Sequence, residues 1–202
     1  MKKQKTIEFW FDPASTYCYL TAMRIQKIAA TKKINVSWEP FLLGPIFKSQ
    51  NWQTSPFKIY PRKGEYMVRD IQRTAAKLGL NFELPTPFPS YSLHAARIAI
   101  LGKNEAWVTK FTKACFVKQF SNGQNIADFE VLGKILEELN LDPKEIIESS
   151  KSLKNKNALK ENTKKAMDLG IFGAPTFVVG GSELFWGDDR LEQAIEYLGN
   201  SP

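Results

Sequence analysis

Ile7-Glu8-Phe9-Trp10-Phe11-Asp12-Pro13-Ala14-Ser15-Thr16-Tyr17-Cys18-Tyr19-Leu20 decides the fold of this chain. Ile7 to Phe11 reads as a buried strand, and Asp12-Pro13-Ala14 breaks it as a tight strand-to-helix connection does. Ser15 or Thr16 can cap the exposed amides of the helix that follows, with Leu20, Met23, Ile25 and Ile28 giving it a broad apolar side to about residue 30. Val36-Ser37-Trp38-Glu39 alternates as a second strand and stops at Pro40. Strand, helix and strand in that order predict a parallel β-α-β unit with a right-handed crossover.

Beyond Phe41 the pattern turns helical and stays so to about Leu169. Tyr66 to Leu78 ends at Gly79, Ala95 to Leu101 ends at Gly102, and both glycines fit helix C-terminal positions. Trp107, Phe111, Ala114 and Cys115 share one helical face, as do Val131, Leu132, Ile135, Leu136 and Leu139. Pro143 suits the first turn of another helix. Strand character returns at Pro175 to Val179, then Gly180-Gly181 and Glu183 to Trp186 complete a β-hairpin. Leu191, Ala194, Ile195 and Leu198 place a last packed helix behind it, starting at Asp188 or Asp189.

A β-α-β unit, a long helical insert and a closing β-β-α unit make up the thioredoxin arrangement. The expected fold class is therefore α/β, with residues 1–43 and 166–202 forming a thioredoxin-like part and 44–165 an all-helical insertion. In a redox member of that fold the turn after the first strand carries Cys-x-x-Cys at a helix start. This chain has Ser15-Thr16-Tyr17-Cys18 there. The first thiol is replaced by a hydroxyl, so the internal disulfide on which dithiol exchange depends has no partner.

Composition bounds the rest. The chain has 202 residues, 43% of them hydrophobic and 24% charged, ordinary values for a globular protein able to bury a core. No run approaches the ~18 apolar residues of a membrane span, and no apolar signal segment follows Lys3 and Lys5. A cytoplasmic protein with free Cys18 and Cys115 is the expectation. The +7 charge, from 28 basic and 21 acidic side chains, is concentrated at the amino terminus and from Lys151 to Lys165. Without interleaved aromatics to stack on bases, those lysines read as a solvated helix face and not a nucleic-acid site. The single histidine, His94, lies in a helical run and reads as structural or surface. With two separated cysteines it offers no spaced metal-ligand set, and there is no glycine-rich phosphate loop.

Five blocks in order carry a family resemblance over nearly the whole chain: Phe11 to Leu20, Pro40-Phe41-Leu42-Leu43-Gly44, Pro61-Arg62-Lys63-Gly64, Gly170 to Phe177, and Phe185-Trp186-Gly187-Asp188-Asp189-Arg190-Leu191. On these the chain resembles the family that groups 2-hydroxychromene-2-carboxylate isomerases with kappa-class glutathione transferases, relatives of the DsbA-type oxidoreductases. Thr16 stands where that family usually has proline, and Cys18 where it often has serine.

The resemblance implies glutathione as cofactor and Ser15 as the catalytic residue that contacts its sulfur. A serine hydroxyl is a poor nucleophile without a base, but at a helix amino terminus it can donate to a thiolate that the helix dipole also favours. Ala174-Pro175 resembles the cis-proline site, where the preceding backbone pairs with the cysteinyl part of the ligand. Trp186, Gly187, Asp188 and Asp189 are implied to receive glutathione, the aspartates taking its γ-glutamyl end, although both also read as helix caps. Lys63, with Arg62 and Asn51, falls in the segment resembling the substrate-contacting loop.

The implied reaction is cis-trans isomerisation of an anionic aromatic-derived molecule, as in aromatic-compound catabolism, through a transient glutathione adduct, in a homodimer. Three alternatives stay open: a kappa-type transferase that releases a conjugate, a monothiol redox protein working through Cys18, and an inactive ligand-binding protein.

Overall fold

The computed structural model describes residues 5–200. Strand β1, Thr6–Phe11, pairs in parallel with β2, Asn35–Pro40, and helix α1, Thr16–Thr31, connects them. Eight helices follow: α2 Leu43–Ser49, α3 Pro56–Ile59, α4 Pro61–Lys77, α5 Leu93–Leu101, α6 Val108–Phe120, α7 Phe129–Glu138, α8 Pro143–Ser150 and α9 Leu153–Asp168. The chain returns as β3, Thr176–Val179, and β4, Glu183–Trp186, then a single 3₁₀ turn, Asp188–Arg190, and α10, Leu191–Asn200. Sheet order is β2-β1-β3-β4, with β3 antiparallel to both neighbours. Gly180 and Gly181 both adopt positive φ, 61° and 88°, the backbone that a tight hairpin requires between β3 and β4.

The period of two along the strands sorts side chains onto two faces. Ile7, Phe9 and Phe11 of β1 join Phe177, Val179 and Phe185 in the larger core cluster, under α1 and α10. Trp10 faces the other way, with Phe41, Ile46, Ala166, Ile171 and Val178. Because both faces are covered, Ile7 to Phe11 is apolar except for Glu8, whose carboxylate accepts a hydrogen bond from Trp10 Nε1 at 2.8 Å.

The larger core does not stop at the thioredoxin part. Phe11 meets Phe116 of α6 at 6.2 Å and Tyr19 meets Phe120 at 5.8 Å between ring centroids. The expected boundary at 165/166 falls within α9, which packs on β2. Beneath that contact Lys103 pairs with the buried carboxylate of Glu39 at 2.5 Å, and Asn162 Nδ2 donates to the Pro40 carbonyl at 2.8 Å.

One local reading needs correction. Helix α4 starts at Pro61, five residues before the expected Tyr66, because a proline at the first helical position gives up an amide that has no helical partner anyway. Gly102 ends α5 as expected, with φ −90°. Its need for glycine is steric: a Cβ would lie 2.2 Å from the Trp107 ring. No helix among the described residues is long and apolar enough to cross a membrane.

Candidate functional site

The connection from β1 to α1 is tied down from several sides before Ser15 is reached. Asp12, only 4% exposed, accepts hydrogen bonds at Oδ1 from the Ala14 amide and at Oδ2 from the Leu43 amide, both at 2.8 Å. It thereby joins the β1–α1 turn to the β2–α2 turn. Burial pushes the Asp12 carboxyl above its ordinary value, against the pull of these two amides and the Ser92 hydroxyl. Gln119 of α6, fully buried, donates to the Pro13 carbonyl at 3.1 Å. The turn is thus held from the sheet side and from the helical side.

Ser15 caps α1 with extended backbone angles, φ −84° and ψ 119°. Its Oγ accepts from the Cys18 amide at 3.3 Å and donates to the Ala174 carbonyl at 3.2 Å. The hydroxyl therefore bridges the helix start and the turn before β3. The Ala174–Pro175 peptide is cis. Cys18, one turn further along α1, has no exposed surface, and burial raises its thiol well above the ordinary cysteine value. Cys115 is likewise free and buried.

Opposite Ser15, the Pro175 carbonyl accepts from the Gly187 amide at 2.9 Å, which seats the turn after β4 against the turn before β3. Gly187 has φ 114°, a backbone that L side chains rarely adopt, and a Cβ there would lie 2.6 Å from Asp189 Oδ1. Its neighbours behave differently from one another. Asp189 is exposed and pairs with Arg190 at 3.5 Å, while Asp188 is buried and its Oδ1 accepts from Thr21 Oγ1 at 2.8 Å and from Arg24. Neither aspartate caps the 3₁₀ turn through its side chain, contrary to the expected capping role, because Asp188 is drawn to α1 instead.

These pieces line a cleft of about 1040 Å³ between the thioredoxin part and the helices. Ser15, Ala174, Pro175, Trp186, Gly187, Asp188, Asp189 and Lys63 all border it. Asn51 and Arg62, also expected at the substrate site, are not among the residues that border it. Asn51 closes α2 at φ 62° with its amide on the Lys48 carbonyl. Arg62 lies off the face of α4 that borders the cleft, a face defined by Lys63, Tyr66, Met67, Asp70 and Thr74 at spacings of three and four residues.

Asp70 on that face accepts a hydrogen bond from Tyr17 Oη at 3.1 Å, so α1 and α4 meet across the cleft floor. Burial and the Asp70 charge push the Tyr17 phenol above its usual value and keep it protonated. Four large rings bordering the cleft stay close to half exposed or more: Tyr66, Tyr91, Phe172 and Trp186. Phe172 and Trp186 pack at 4.9 Å, and Trp186 lies so close over Gly173 that a Cβ there would be 2.4 Å from its Nε1.

Asp12, Tyr17, Asp70 and Arg24 were not singled out by sequence reasoning. The face of α4 was readable only as an amphipathic helix whose polar side could equally meet solvent. His94 packs 4.2 Å from Phe129 and is not among the residues bordering the cleft. Among the described residues no group of three or more His, Cys, Asp or Glu side chains is placed to hold a metal ion.

Residues 6–199 match the DsbA-like thioredoxin domain, and the chain belongs to that family. Among its relatives, a 2-hydroxychromene-2-carboxylate isomerase from Sphingobium xenophagum is 26% identical, over 96% of this chain and 98% of that relative. Glutathione S-transferase kappa 2 of Caenorhabditis elegans is 25% identical over 98% of this chain and 93% of its own length. A solved 2-hydroxychromene-2-carboxylate isomerase superposes with a TM-score of 0.87 at 22% identity, over 96% of this chain and 94% of that one, and shares its fold.

Proposed function

We propose that this protein is a glutathione-dependent enzyme that isomerises an anionic, aromatic-derived electrophile, in the manner of a 2-hydroxychromene-2-carboxylate isomerase. One observation carries the reading: the cleft presents a hydroxyl, Ser15, at the start of α1, while Cys18 behind it is sealed from solvent. A site that offers a donor and no accessible thiol suits a nucleophilic sulfur brought in by a ligand. Its kappa-class relative carries glutathione in its name, which supports the choice of thiol.

The residues fit that tripeptide. The cleft volume matches the upper end of the ~300–1,000 Å³ that small-molecule sites span, leaving room for a second reactant. The Ala174 carbonyl can accept the ligand's cysteinyl amide, which releases the Ser15 hydroxyl to turn toward the sulfur. Asp188 and Asp189 offer negative charge for the γ-glutamyl ammonium, and Lys58 and Lys63, both bordering the cleft, can meet a carboxylate.

When bound, glutathione supplies a thiolate that adds reversibly to an electron-poor carbon and can leave again. Ser15 then holds negative charge at the sulfur before and after reaction, aided by the positive end of α1. The half-exposed rings of Tyr66, Tyr91, Phe172 and Trp186 support a planar, conjugated substrate, since they present apolar faces that a ring can cover. A transferase would use the same groups and differ only in whether the sulfur departs.

The test is product analysis with 2-hydroxychromene-2-carboxylate and catalytic glutathione. An isomer of unchanged mass, formed only when glutathione is present, is expected. A conjugate that accumulates in step with glutathione consumption would favour the transferase reading, and turnover without glutathione would overturn both.

A further inference from the structure

Asp188 is 7% exposed and borders the cleft, yet its two oxygens are treated unequally. Oδ1 takes every side-chain donor: Thr21 Oγ1 at 2.8 Å, Arg24 Nη2 at 3.1 Å and Arg24 Nε at 3.3 Å. Arg24 Nη2 also donates to the Asp188 backbone carbonyl at 2.6 Å. The remaining nitrogen of the guanidinium, Nη1, is tied to Glu192 of α10. Thr21 and Arg24 stand three residues apart on α1 and so act from one face of the helix that Ser15 caps. Among the described residues no hydrogen bond reaches Asp188 Oδ2.

We propose that Arg24 is a positioning residue for ligand recognition: by fixing Oδ1 and the backbone of Asp188, it reserves Oδ2 for the ammonium group of the bound thiol peptide. This role rests on the glutathione reading above. The planar fork of an arginine suits the task, since it grips side chain and main chain of one residue together.

The same contact sets the charge of the receptor. The Asp188 carboxyl lies above its ordinary value: burial raises it, Arg24 is the strongest pull in the other direction, Thr21 adds to that pull, and Glu192 opposes it. The Cys18 thiol, which burial keeps neutral, also feels the Asp188 charge, and Asp189 and Arg190, next in the chain, pair with each other. Removing Arg24 leaves burial and Glu192 without their main counterweight. Asp188 then takes up a proton at higher pH, and its hold on an ammonium fades as pH falls through that raised value.

S-methylglutathione is the probe, because it keeps the γ-glutamyl end and has no thiol to titrate. Calorimetric titration at about pH 7 and about pH 5 should show a weaker pH dependence for the unaltered protein than for any variant that lacks the Arg24 charge. Arg24→Gln should bind roughly tenfold more weakly at the higher pH and lose a further several-fold at the lower. Arg24→Lys should restore most of the unaltered protein's pH profile. Asp188→Asn should be weak at both values, with no slope.

Folded Arg24→Gln protein that binds like the unaltered chain, or that is weakened equally at both pH values, would overturn the role of Arg24. Should Arg24→Gln fail to fold, Thr21→Val removes a single donor to the same oxygen. It should give a smaller loss with the same slope, and unchanged binding there would be equally decisive against the idea. If the unaltered protein binds neither glutathione nor its S-methyl form, it is the glutathione reading that fails.

Discussion

Replacing Ser15 by alanine separates two roles that one hydroxyl performs. Its Oγ accepts from the Cys18 amide at 3.3 Å and donates to the Ala174 carbonyl at 3.2 Å. Loss of the cap costs about 1 kcal/mol, and for a chain of this size that lowers Tm by roughly 2–4 °C. If Ser15 also donates to a bound thiolate, a charge-assisted hydrogen bond of ~1.5–3 kcal/mol disappears with it. That corresponds to roughly a 10–100-fold fall in kcat/KM and an upward shift of about one to two units in the bound thiol's pKa.

The assay is ultraviolet titration of the thiolate band at saturating glutathione, paired with steady-state kinetics and a thermal melt. Ser15→Thr, which keeps a hydroxyl, should recover most of both the cap and the thiolate. The reasoning fails if Ser15→Ala melts a few degrees lower yet leaves the thiol pKa unshifted and kcat/KM within about twofold of the unaltered protein, well below the ~1.5 kcal/mol that such a charge-assisted bond would contribute. Ser15 would then be a helix cap and nothing more.

Three further outcomes are expected. Cys18→Ala should keep glutathione-dependent turnover, at a stability cost of about 1 kcal/mol for a small core truncation, and native Cys18 should resist alkylation until the protein is unfolded. Gly187→Ala introduces a Cβ 2.6 Å from Asp189 Oδ1 at φ 114°, so it should cost ~1–3 kcal/mol and weaken glutathione binding, measured by urea titration and calorimetry. Lys103→Met leaves the buried Glu39 carboxylate without its cation, and because Lys103 is itself 28% exposed the loss should fall near the lower end of ~3–5 kcal/mol, read from the urea midpoint.

Local chemistry made much of the fold legible. The run Ile7 to Phe11 could be a strand buried on both faces because no polar residue but Glu8 interrupts it, and Asp12-Pro13-Ala14 could not continue it. Gly180-Gly181 announced a hairpin because adjacent glycines tolerate the positive φ that the turn needs. Ser15 was legible as a helix cap for the same short-range reason. Resemblance added its partner Ala174-Pro175 and the Gly187-Asp188-Asp189 turn, and the cleft contains them all.

What the residues did not reveal depends on contacts between segments distant in the chain. Asn51 and Arg62 sit beside pocket residues in sequence, but one helical step turns Arg62 off the face that Lys63, Tyr66 and Asp70 share. Asp188 and Asp189 are adjacent and chemically identical, and only the approach of α1 distinguishes them, burying one against Thr21 and Arg24 and leaving the other in solvent. The sequence by itself determined the strands, the capped helix and the replacement of a thiol by a hydroxyl, because each is set within a few residues. Tertiary structure alone decided that Cys18 is sealed, that Tyr17 reaches Asp70, and which aspartate Arg24 grips. Burial and ion pairing belong to the packed molecule, and no local pattern carries them.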